Sequence, residues 1–587
     1  MHKSIILSLA LVFFSFSFGQ KTTKQETYYL YFKTWNFIKY YHPDLASGRI
    51  DADSLFLTYL SGVEQIANKE SFNKLIDQIL NRLYESHSES RPTKENADVI
   101  SKNLDFNWFE KNAFFDTKNK ERLSAVFKNR YTGDDHYYIP EENYIALLPH
   151  EKEYDFSKGE TVPVDYRMLA LAKIQGAVDY LYPHKYLMEQ NFDQLLKSQI
   201  VPMLESKNRK EYELILLKLA ASLQDSHSFK FYKQLREKKE IFKNKTYPPF
   251  AYQVFEDGIL ITDSIIPDLC QSADIRVGDY IISINGQTVS DKITELSFLL
   301  STSNRQTLLY HLSNYIENLI WSSDSKQFSF EILRNKKKEF KTISFLGSGD
   351  PNLKKLNTYL GMINREKVES DSLIILNREI AYFNIHETFR FIQNVADEKI
   401  DQQMDSILNL ARSKKGIIFD MRGYPDWGGF VPMFVTKSFA QTLTPYAKYY
   451  QVNKLKVGTY VHKTAPDVYY NPQLKLNGSA VYGGKVVIIV NPATQSMSEW
   501  NTMNLQHIFP NSVTIGEQSA GADGDLKTMN LPGPYELDFT GNAIFYPDGT
   551  EAQKRGVKID VPVKLTKENY SKNQDLMLLK AIELIEK

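Results

Sequence analysis

The front of the chain shows the apolar spacing of amphipathic helices. Over residues 25–90 and again over 165–235, apolar residues return every three or four positions, as in Leu75, Ile79 and Leu80, and this spacing lines one face of a helix. Each segment closes on a Ser-His pair, and the two pairs lie about 140 residues apart. A recurrence of this kind predicts a degenerate duplication.

The pattern changes near residue 246. Short β-type runs follow, such as the one from Tyr280 to Ile284, and the Asn285-Gly286 pair after it is typical of a tight turn. From about residue 370, strand-like apolar runs alternate with helical segments, as in Ile417 to Asp420 and Val486 to Val490. This alternation is typical of an α/β domain.

We therefore expect a multidomain α+β protein, because 587 residues exceed what one hydrophobic core usually supports. The expected units, in chain order, are a signal segment (1–19), a first helical copy with its connector (20–160), a second helical copy that carries a Ser-His motif (161–245), a small β-rich domain (246–347) and an α/β catalytic-type domain (348–587).

Charge narrows the classes of partner. Lys plus Arg and Asp plus Glu both number 71, so the formal net charge is zero. Without a global field, the chain has no electrostatic basis for recruiting nucleic acid or an anionic membrane. Partner choice must come from local sites.

The N-terminus predicts export. Met1-His2-Lys3 precedes an apolar run from Ile5 to Phe18, which is the arrangement of a secretory signal, and we expect cleavage near Gly19. The run is shorter than a membrane-spanning helix needs, although a retained anchor is the alternative. Cys270 is the only cysteine, so we expect neither a disulfide nor a lipoprotein anchor. A periplasmic or secreted protein with no stable membrane span follows.

The strongest chemical signal is Ser496. Here a buried strand, Val487 to Val490, runs through a polar turn into a helix that we expect to begin near Ser498. A serine at that point lies where the helix dipole favours developing negative charge. The alternative is that Ser496 or Ser498 only caps the helix, with Glu499 contributing to the cap.

A second strand-to-helix junction lies at Asp420 to Gly429. It ends a buried strand in a glycine-rich turn, whose backbone N–H groups can hold an oxyanion. For the oxyanion hole we expect the backbone N–H groups of Gly423 and Met497, since a tetrahedral intermediate needs preorganised donors.

The segment from Ile275 to Gly286 resembles the PDZ signature, in which a Gly-Asp turn leads into a strand that ends in Asn-Gly. The resemblance implies a PDZ-like domain that adds a peptide tail as an extra strand. The alternative is that Gly278, Asp279 and Gly286 only shape turns in an ordinary barrel.

Together these motifs resemble the tail-specific (C-terminal processing) serine peptidase family over roughly residues 220–565. The element from Asp420 to Gly429 is similar to the family's Asp-x-Arg-Gly-Asn-x-Gly-Gly, and Thr494 to Glu499 is similar to its Thr-x-Ser-x-Ser-Glu. The resemblance implies a helical N-terminal region, a PDZ domain and a crotonase-like protease core, with Ser496 as the nucleophile.

One departure from the family pattern bears on the mechanism. Ala522 stands where the Ser-Lys branch carries its general-base lysine. We expect Lys527, five residues later, to be solvated, and a displaced Ser-Lys dyad is the alternative. The tricorn-like branch uses a Ser-His-Glu arrangement instead, and the Ser226-His227 motif lies in the corresponding place. The resemblance therefore implies His227 as the general base, assisted by Ser226, while a structural histidine is the alternative.

A third group should orient the imidazole and stabilise its charged form. Glu551 lies in the segment from Tyr546 to Asp560, which resembles the family's closing element. The register is not fixed by the sequence, so Gln553 and Asp548 remain alternatives.

Two functions remain open at this point. The first is an exported serine endopeptidase that cuts polypeptides through an acyl-enzyme on Ser496, helped by tail recognition in the PDZ-like domain. The second is a catalytically inactive protein that binds peptides or apolar ligands on the same scaffold. The spacing of the histidines predicts no zinc site, we expect no cofactor, and the oligomeric state is left open.

Overall fold

The computed structural model describes residues 23–83, 98–141, 145–366, 375–376, 378–443, 447–463, 474–477, 481–570 and 574–587. The predicted signal segment and the first Ser-His pair, Ser86-His87, lie outside these residues. None of the helices within them is long and apolar enough to cross a membrane.

The front of the chain is helical, with one short strand, β1 (Val99–Ile100), and 3₁₀ turns at Lys185–Leu187 and Ser226–Gln234. Its α-helices are α1 (Lys24–Tyr41), α2 (Pro43–Ala46), α3 (Ala52–Glu64), α4 (Lys69–Arg82), α5 (Asn107–Glu110), α6 (Thr117–Lys128), α7 (Val164–Gly176), α8 (Phe192–Glu205), α9 (Arg209–Ser222) and α10 (Lys238–Phe242).

The helix starts recur at a constant shift. Helices α7, α8 and α9 begin at residues 164, 192 and 209, each 140 residues after α1, α3 and α4, which begin at 24, 52 and 69. The caps match as well, since Asn68 and Asn208 cap α4 and α9. The shift equals the spacing of the two Ser-His pairs in the sequence, while the duplication itself stays a prediction.

Buried charges join the two sets of helices. Lys33 on α1 pairs with Asp179 at 2.7 Å, and Lys173 on α7 lies 3.2 Å from Asp53 and 3.1 Å from Glu151. The Lys173 side chain is fully buried. A buried ammonium is tolerated only where carboxylates compensate its lost hydration, so these pairs fix how the helices meet.

Residues 246–347 contain a six-stranded antiparallel sheet with strand order β2-β3-β4-β6-β7 and β5 paired to β4. Its elements are β2 (Phe250–Phe255), β3 (Gly258–Ser264), α11 (Pro267–Ser272), β4 (Tyr280–Ile284), β5 (Gln287–Thr288), α12 (Val289–Ser297), α13 (Arg305–Leu312), β6 (Gln327–Arg334) and β7 (Lys337–Ser344).

The outer edge of β2 is partly covered from within the same domain. Ser313, directly after α13, accepts hydrogen bonds from the Val254 N–H at 3.0 Å and from the Gln253 side chain at 2.9 Å. A strand that adds at this edge needs the same backbone donors. It therefore has to displace Ser313.

The last part of the chain is built on a six-stranded, mostly parallel sheet with strand order β18-β14-β13-β10-β9-β8. The helices of this part are α14 (Leu353–Glu366), α15 (Ile400–Arg412), α16 (Thr436–Phe439), α17 (Met497–Ile508), α18 (Lys567–Tyr570) and α19 (Leu576–Glu586). The strands are β8 (Ile375–Leu376), β9 (Ile380–Asn384), β10 (Gly416–Asp420), β11 (Lys448–Val452), β12 (Tyr460–Lys463), β13 (Lys485–Val490), β14 (Val513–Gly516), β15 (Leu526–Leu531), β16 (Tyr535–Thr540), β17 (Ala543–Phe545) and β18 (Val561–Pro562).

The apolar runs of β10 and β13 reflect burial on both faces. In β10, Ile417 and Phe419 belong to one core cluster and Ile418 to another, because successive side chains point to opposite faces of the sheet. Strand β13 divides in the same way. Both strands end at the same edge of the sheet, which brings the loops after Asp420 and Val490 together.

Candidate active site

Ser496 occupies a sharp turn between β13 and α17. It is half-buried, and its backbone has φ 53° and ψ −118°, a conformation that a residue with a side chain rarely adopts. Such a conformation costs on the order of 1–3 kcal/mol and concentrates at functional sites. A strained strand-to-helix turn with serine at its top is the geometry of a nucleophile elbow.

Ser496 is also the N-cap of α17, and Glu499 accepts its backbone N–H at 3.2 Å in a capping box. Capping alone does not require the strained backbone, since N-cap residues ordinarily have extended φ and ψ. The Ser496 hydroxyl donates to the carbonyl of Gly524 at 3.4 Å. Ser498, the other candidate cap, donates to the carbonyl of Gly423.

Glu499 fixes the loop that faces the elbow. Its buried carboxylate accepts the Ser519 hydroxyl at 2.6 Å and the N–H groups of Gly521 and Ala522 at 2.8 and 3.0 Å. Burial raises the pKa of this carboxyl, and the hydrogen bonds act against that rise. The loop from Ser519 to Ala522 is therefore held against the start of α17.

The lysine position of the Ser-Lys branch is filled by a buried alanine, Ala522. Lys527 is buried as well, with 4% of its surface exposed, so the expectation of a solvated side chain is wrong. Its ammonium donates to the carbonyl of Ile145 at 2.8 Å, and burial lowers its pKa to about 8. That contact directs the Lys527 side chain toward the connector.

His227 lies in the 3₁₀ turn that begins at Ser226, with Asp225 as the N-cap. Its Nδ1 is 2.8 Å from the Thr540 hydroxyl and 3.3 Å from Asp225 Oδ1. Asp225 is fully buried and also accepts the N–H groups of His227 at 3.0 Å and Thr540 at 2.6 Å. These contacts occupy Nδ1 and leave Nε2 for another partner.

Burial disfavours the charged imidazole of His227. The hydrogen bond to Asp225 and the charges of Asp225, Glu499 and Asp538 outweigh that effect, so the pKa of His227 lies above its ordinary value. The pKa of Asp225 is lowered because, although burial opposes it, His227 and two backbone N–H groups stabilise the carboxylate. The arrangement favours an imidazolium beside a carboxylate.

His227 and Ser496 both contact the place where Thr540 lies against Gly524, which we call the Gly524–Thr540 junction. Thr540, which holds His227, lies against Gly524, whose carbonyl accepts the Ser496 hydroxyl; a Cβ built on Gly524 would come within 3.0 Å of the Thr540 methyl group. Gly524 has φ 127°. Both the backbone angle and the space therefore require glycine there.

Ser226 is directed away from this junction. Its hydroxyl accepts the Ser303 N–H at 3.0 Å, and its own N–H donates to the Ser303 hydroxyl at 2.9 Å. Ser301 forms a similar exchange with the backbone of Asp225. We call Ser301 and Ser303 the serine clamp, since together they fix both residues that precede His227.

The structure does not bring Glu551 to His227. Its carboxylate lies 2.9 Å from His184 Nδ1 and accepts the Tyr186 hydroxyl. Of the alternatives, Asp548 pairs with Lys558 at 2.6 Å on the surface, and Gln553 is buried. The carboxylate found on His227 is Asp225, which sequence reasoning missed although it lies only two residues before the histidine.

The two expected oxyanion donors adjoin the elbow. Met497 is the first residue of α17, where an N–H has no acceptor within its own helix. Thr494 donates to the carbonyl of Met421 at 2.8 Å and Ser498 to that of Gly423, so the loop after β10 is fastened to the elbow. Among the residues that the structure describes, no group of three or more His, Cys, Asp or Glu side chains could hold a metal ion.

Residues 379–563 match the family model for peptidase family S41. This part of the chain is similar to that family. The protein is accordingly a serine-type peptidase. The match covers the parallel strands of the sheet, the elbow and the glycine-rich loop, whereas the branch of the family that the chain resembles stays a prediction.

One solved structure supports the fold. Mature CPAF superposes with a TM-score of 0.51 at 13% identity, over 72% of this chain and 98% of that chain. The photosystem II D1 C-terminal processing protease gives 0.34 at 14% identity, over 70% and 98%. No curated protein matches the chain.

Proposed function

We propose that this protein is an exported serine endopeptidase that hydrolyses polypeptides through an acyl-enzyme on Ser496. The observation that carries the proposal is the strained turn at Ser496, whose hydroxyl meets the same Gly524–Thr540 junction that holds His227. A nucleophile and a base on one junction are what acyl transfer at a serine needs.

In the acylation step, Ser496 Oγ attacks the scissile carbonyl while His227 Nε2 takes the hydroxyl proton. His227 then gives that proton to the leaving amine as the C–N bond breaks, and the ester remains on Ser496. Water attacks the ester with His227 again as the base. The departing Ser496 oxygen recovers the proton, and the carboxylate product leaves.

In this proposal Asp225 performs the role that the sequence assigned to Glu551. Its carboxylate is near Nδ1, it is buried, and its charge raises the pKa of His227. A carboxylate so placed holds the imidazole in the tautomer with Nε2 unprotonated and stabilises the imidazolium that forms. The N–H groups of Gly423 and Met497 are the proposed oxyanion donors.

The proposed role of residues 246–347 is to present substrate tails to the site. The serine clamp supports a link between this domain and catalysis, because it belongs to this segment and holds Asp225 and Ser226. If a tail adds at the β2 edge, it must compete with Ser313 for Val254. The expected tail affinity therefore rises in Ser313→Ala.

The proposed location is periplasmic or secreted. It is inferred from residues 1–19, which have the basic start and the apolar run of a secretory signal. Expression of the full chain, followed by N-terminal sequencing of the exported form, tests it. A mature N-terminus near Gln20 supports export by signal cleavage, whereas a protein that keeps Met1 contradicts it.

The decisive experiment labels the folded protein with a fluorophosphonate, which reacts with activated serines. Labelling and cleavage of an unfolded polypeptide are expected for the wild type and are lost in Ser496→Ala. Ser290→Ala is the matched control, since Ser290 is exposed on α12. A folded wild-type protein that neither labels nor cleaves would favour the inactive, peptide-binding alternative.

A further inference from the structure

An exposed turn lies directly beside the proposed oxyanion hole. The 3₁₀ turn Ile385–Phe391 follows β9, and Asn384 caps it by accepting the His386 N–H at 3.1 Å. A Cβ built on Gly423 would lie 1.7 Å from His386 Nε2, so the imidazole rests against the α-carbon of Gly423. His386 is solvent-exposed.

Asp426 locks this turn to the glycine-rich loop. Its Oδ1 accepts the N–H and the hydroxyl of Thr388 at 3.1 and 2.8 Å, and its Oδ2 accepts the Phe389 N–H at 3.1 Å. In return, the Asp426 N–H donates to the carbonyl of Ile385 at 3.2 Å. The turn and the loop therefore keep a fixed relation to each other.

Two large aromatic side chains are exposed on the same unit. Phe389 is 45% exposed and Tyr424, the residue after Gly423, is 57% exposed. A single exposed aromatic residue is ordinary, but here one directly follows a proposed oxyanion donor, and the other lies on the same short turn as the imidazole that touches that donor. An aromatic ring that stays exposed to water forgoes the favourable free energy of burial.

We propose that His386, Phe389 and Tyr424 form the subsite for the substrate side chain that adjoins the scissile bond, and that this subsite selects aromatic and large apolar residues. The inference rests on the proposed function, because that function places the reacting carbonyl at the N–H groups of Gly423 and Met497. A side chain on either side of that carbonyl then lies within reach of Gly423 and its neighbours. Rings pack well against aromatic and imidazole faces.

The test compares cut sites in the full-length protein and its variants. An unfolded polypeptide mixture is digested, the cut sites are mapped by mass spectrometry, and kcat/KM is measured on matched peptides with Phe or Ala beside the bond. In the wild type, aromatic and large apolar residues are expected to be enriched at one flanking position. Phe389→Ser and Tyr424→Ser should each lower kcat/KM for the Phe peptide by about tenfold, with a smaller loss for the Ala peptide.

His386→Ala should reduce the same Phe-over-Ala ratio, since it removes one wall of the subsite. Leu579→Ser is the matched control: Leu579 is 50% exposed on α19, so its replacement removes a comparably exposed apolar side chain from elsewhere on the surface. Its Phe-over-Ala ratio should equal that of the wild type. Melting temperature and fluorophosphonate labelling are recorded for every variant to show that the fold and nucleophile are retained.

The outcomes separate the two proposals. If the wild type labels and cleaves but shows no aromatic or apolar enrichment, the subsite proposal is wrong while the proposed function stands. An unchanged Phe-over-Ala ratio in all three subsite variants has the same meaning. If the wild type neither labels nor cleaves, the proposed function fails and the subsite proposal fails with it.

Discussion

At the scale of single residues, the carboxylate that contacts a histidine determines the tautomer and the charge of its imidazole. Asp225 touches His227, whereas Glu551 touches His184 and Tyr186. The two carboxylates give a direct comparison. Each is partly or wholly buried and each lies beside an imidazole, but only Asp225 is joined to the junction at Ser496.

Asp225→Asn is expected to lower kcat by on the order of 10²–10⁴-fold, because the amide cannot stabilise the imidazolium or select its tautomer. Glu551→Gln should cost much less activity, since its carboxylate acts on His184. Steady-state kinetics on one peptide decides between them. A larger loss for Glu551→Gln than for Asp225→Asn would restore Glu551 to the role that the sequence assigned.

The raised pKa of His227 sets the pH dependence. His227 must be neutral to act as a base, so kcat/KM should rise with pH through a midpoint above 6.5, the ordinary value for histidine. In Asp225→Asn this midpoint should move to lower pH. For stability the sign is opposite: a raised folded-state pKa stabilises the protein below about pH 6.5, and this contribution is lost as the pH rises through the folded-state value. A pH–rate profile with an unmoved midpoint contradicts the proposed pairing.

Gly524 is expected to tolerate no side chain. In Gly524→Ala the new Cβ would lie 2.8 Å from the Asn542 side chain and 3.0 Å from its backbone oxygen, and φ 127° is unfavourable for alanine. We expect a lower melting temperature and a loss of kcat, because the carbonyl that meets Ser496 shifts. Gly349→Ala is the control, since it has a positive φ of 82° with nothing within 4 Å. Equal losses in both variants would mean that backbone strain alone is responsible.

At the scale of elements, the 3₁₀ turn that carries His227 is held from a different domain. The serine clamp lies between α12 and α13, next to the antiparallel sheet, and bonds to both residues that precede the histidine. The position of His227 therefore depends on the packing of residues 246–347 against the turn that follows α9. The domain predicted to bind tails also holds the turn that carries His227.

Ser303→Ala is expected to destabilise the turn, because it leaves the buried Ser226 N–H without its acceptor at a cost of about 1–3 kcal/mol. The expected result is a fall in kcat that exceeds any change in KM, since His227 is displaced while substrate contacts persist. Ser290→Ala on the exposed face of α12 should change neither parameter. A change in KM alone would count against the clamp as a support for the base.

Elements that follow local patterns could be predicted from the sequence, and contacts between distant segments could not. The buried strands β10 and β13, the turn at Ser496 and the glycine-rich loop are each encoded within about fifteen neighbouring residues. The partners of His227 include Thr540, 313 residues away, and those of Ser226 include Ser303, 77 residues away. The local spacing of apolar residues does not indicate pairs that lie so far apart along the chain. The partner of Glu551 could not be predicted for the same reason, because His184 and Tyr186, which contact it, lie more than 360 residues away along the chain.

At the scale of the whole molecule, the helical front is continuous with the protease core. Lys173 pairs with Asp53 and Glu151 between the helices and also donates to the carbonyl of Asn530 on β15 at 3.4 Å. Burial disfavours its charge, but the two carboxylates outweigh that effect and raise its pKa. One side chain thus joins both helical segments to the core.

Lys173→Met is expected to destabilise the protein by about 3–5 kcal/mol, because it leaves the buried Asp53 carboxylate without a cation and leaves Glu151 with Lys39 alone. The melting temperature should fall by several degrees, and the loss should grow as the pH rises and the carboxylates ionise. Lys118→Met is the control, since the Lys118–Asp77 pair lies on the surface and such pairs contribute little. Similar losses for both variants would contradict the role of burial.

The distance along the chain between His227 and Thr540 has a consequence for the stage of synthesis at which the protein becomes active. Strand β16 is made late in synthesis, so a chain that stops before Thr540 lacks the hydroxyl that contacts His227 Nδ1. In the proposed mechanism, such a chain is expected to lack a correctly positioned general base. We therefore expect peptidase activity to appear only after the last strands of the core have folded.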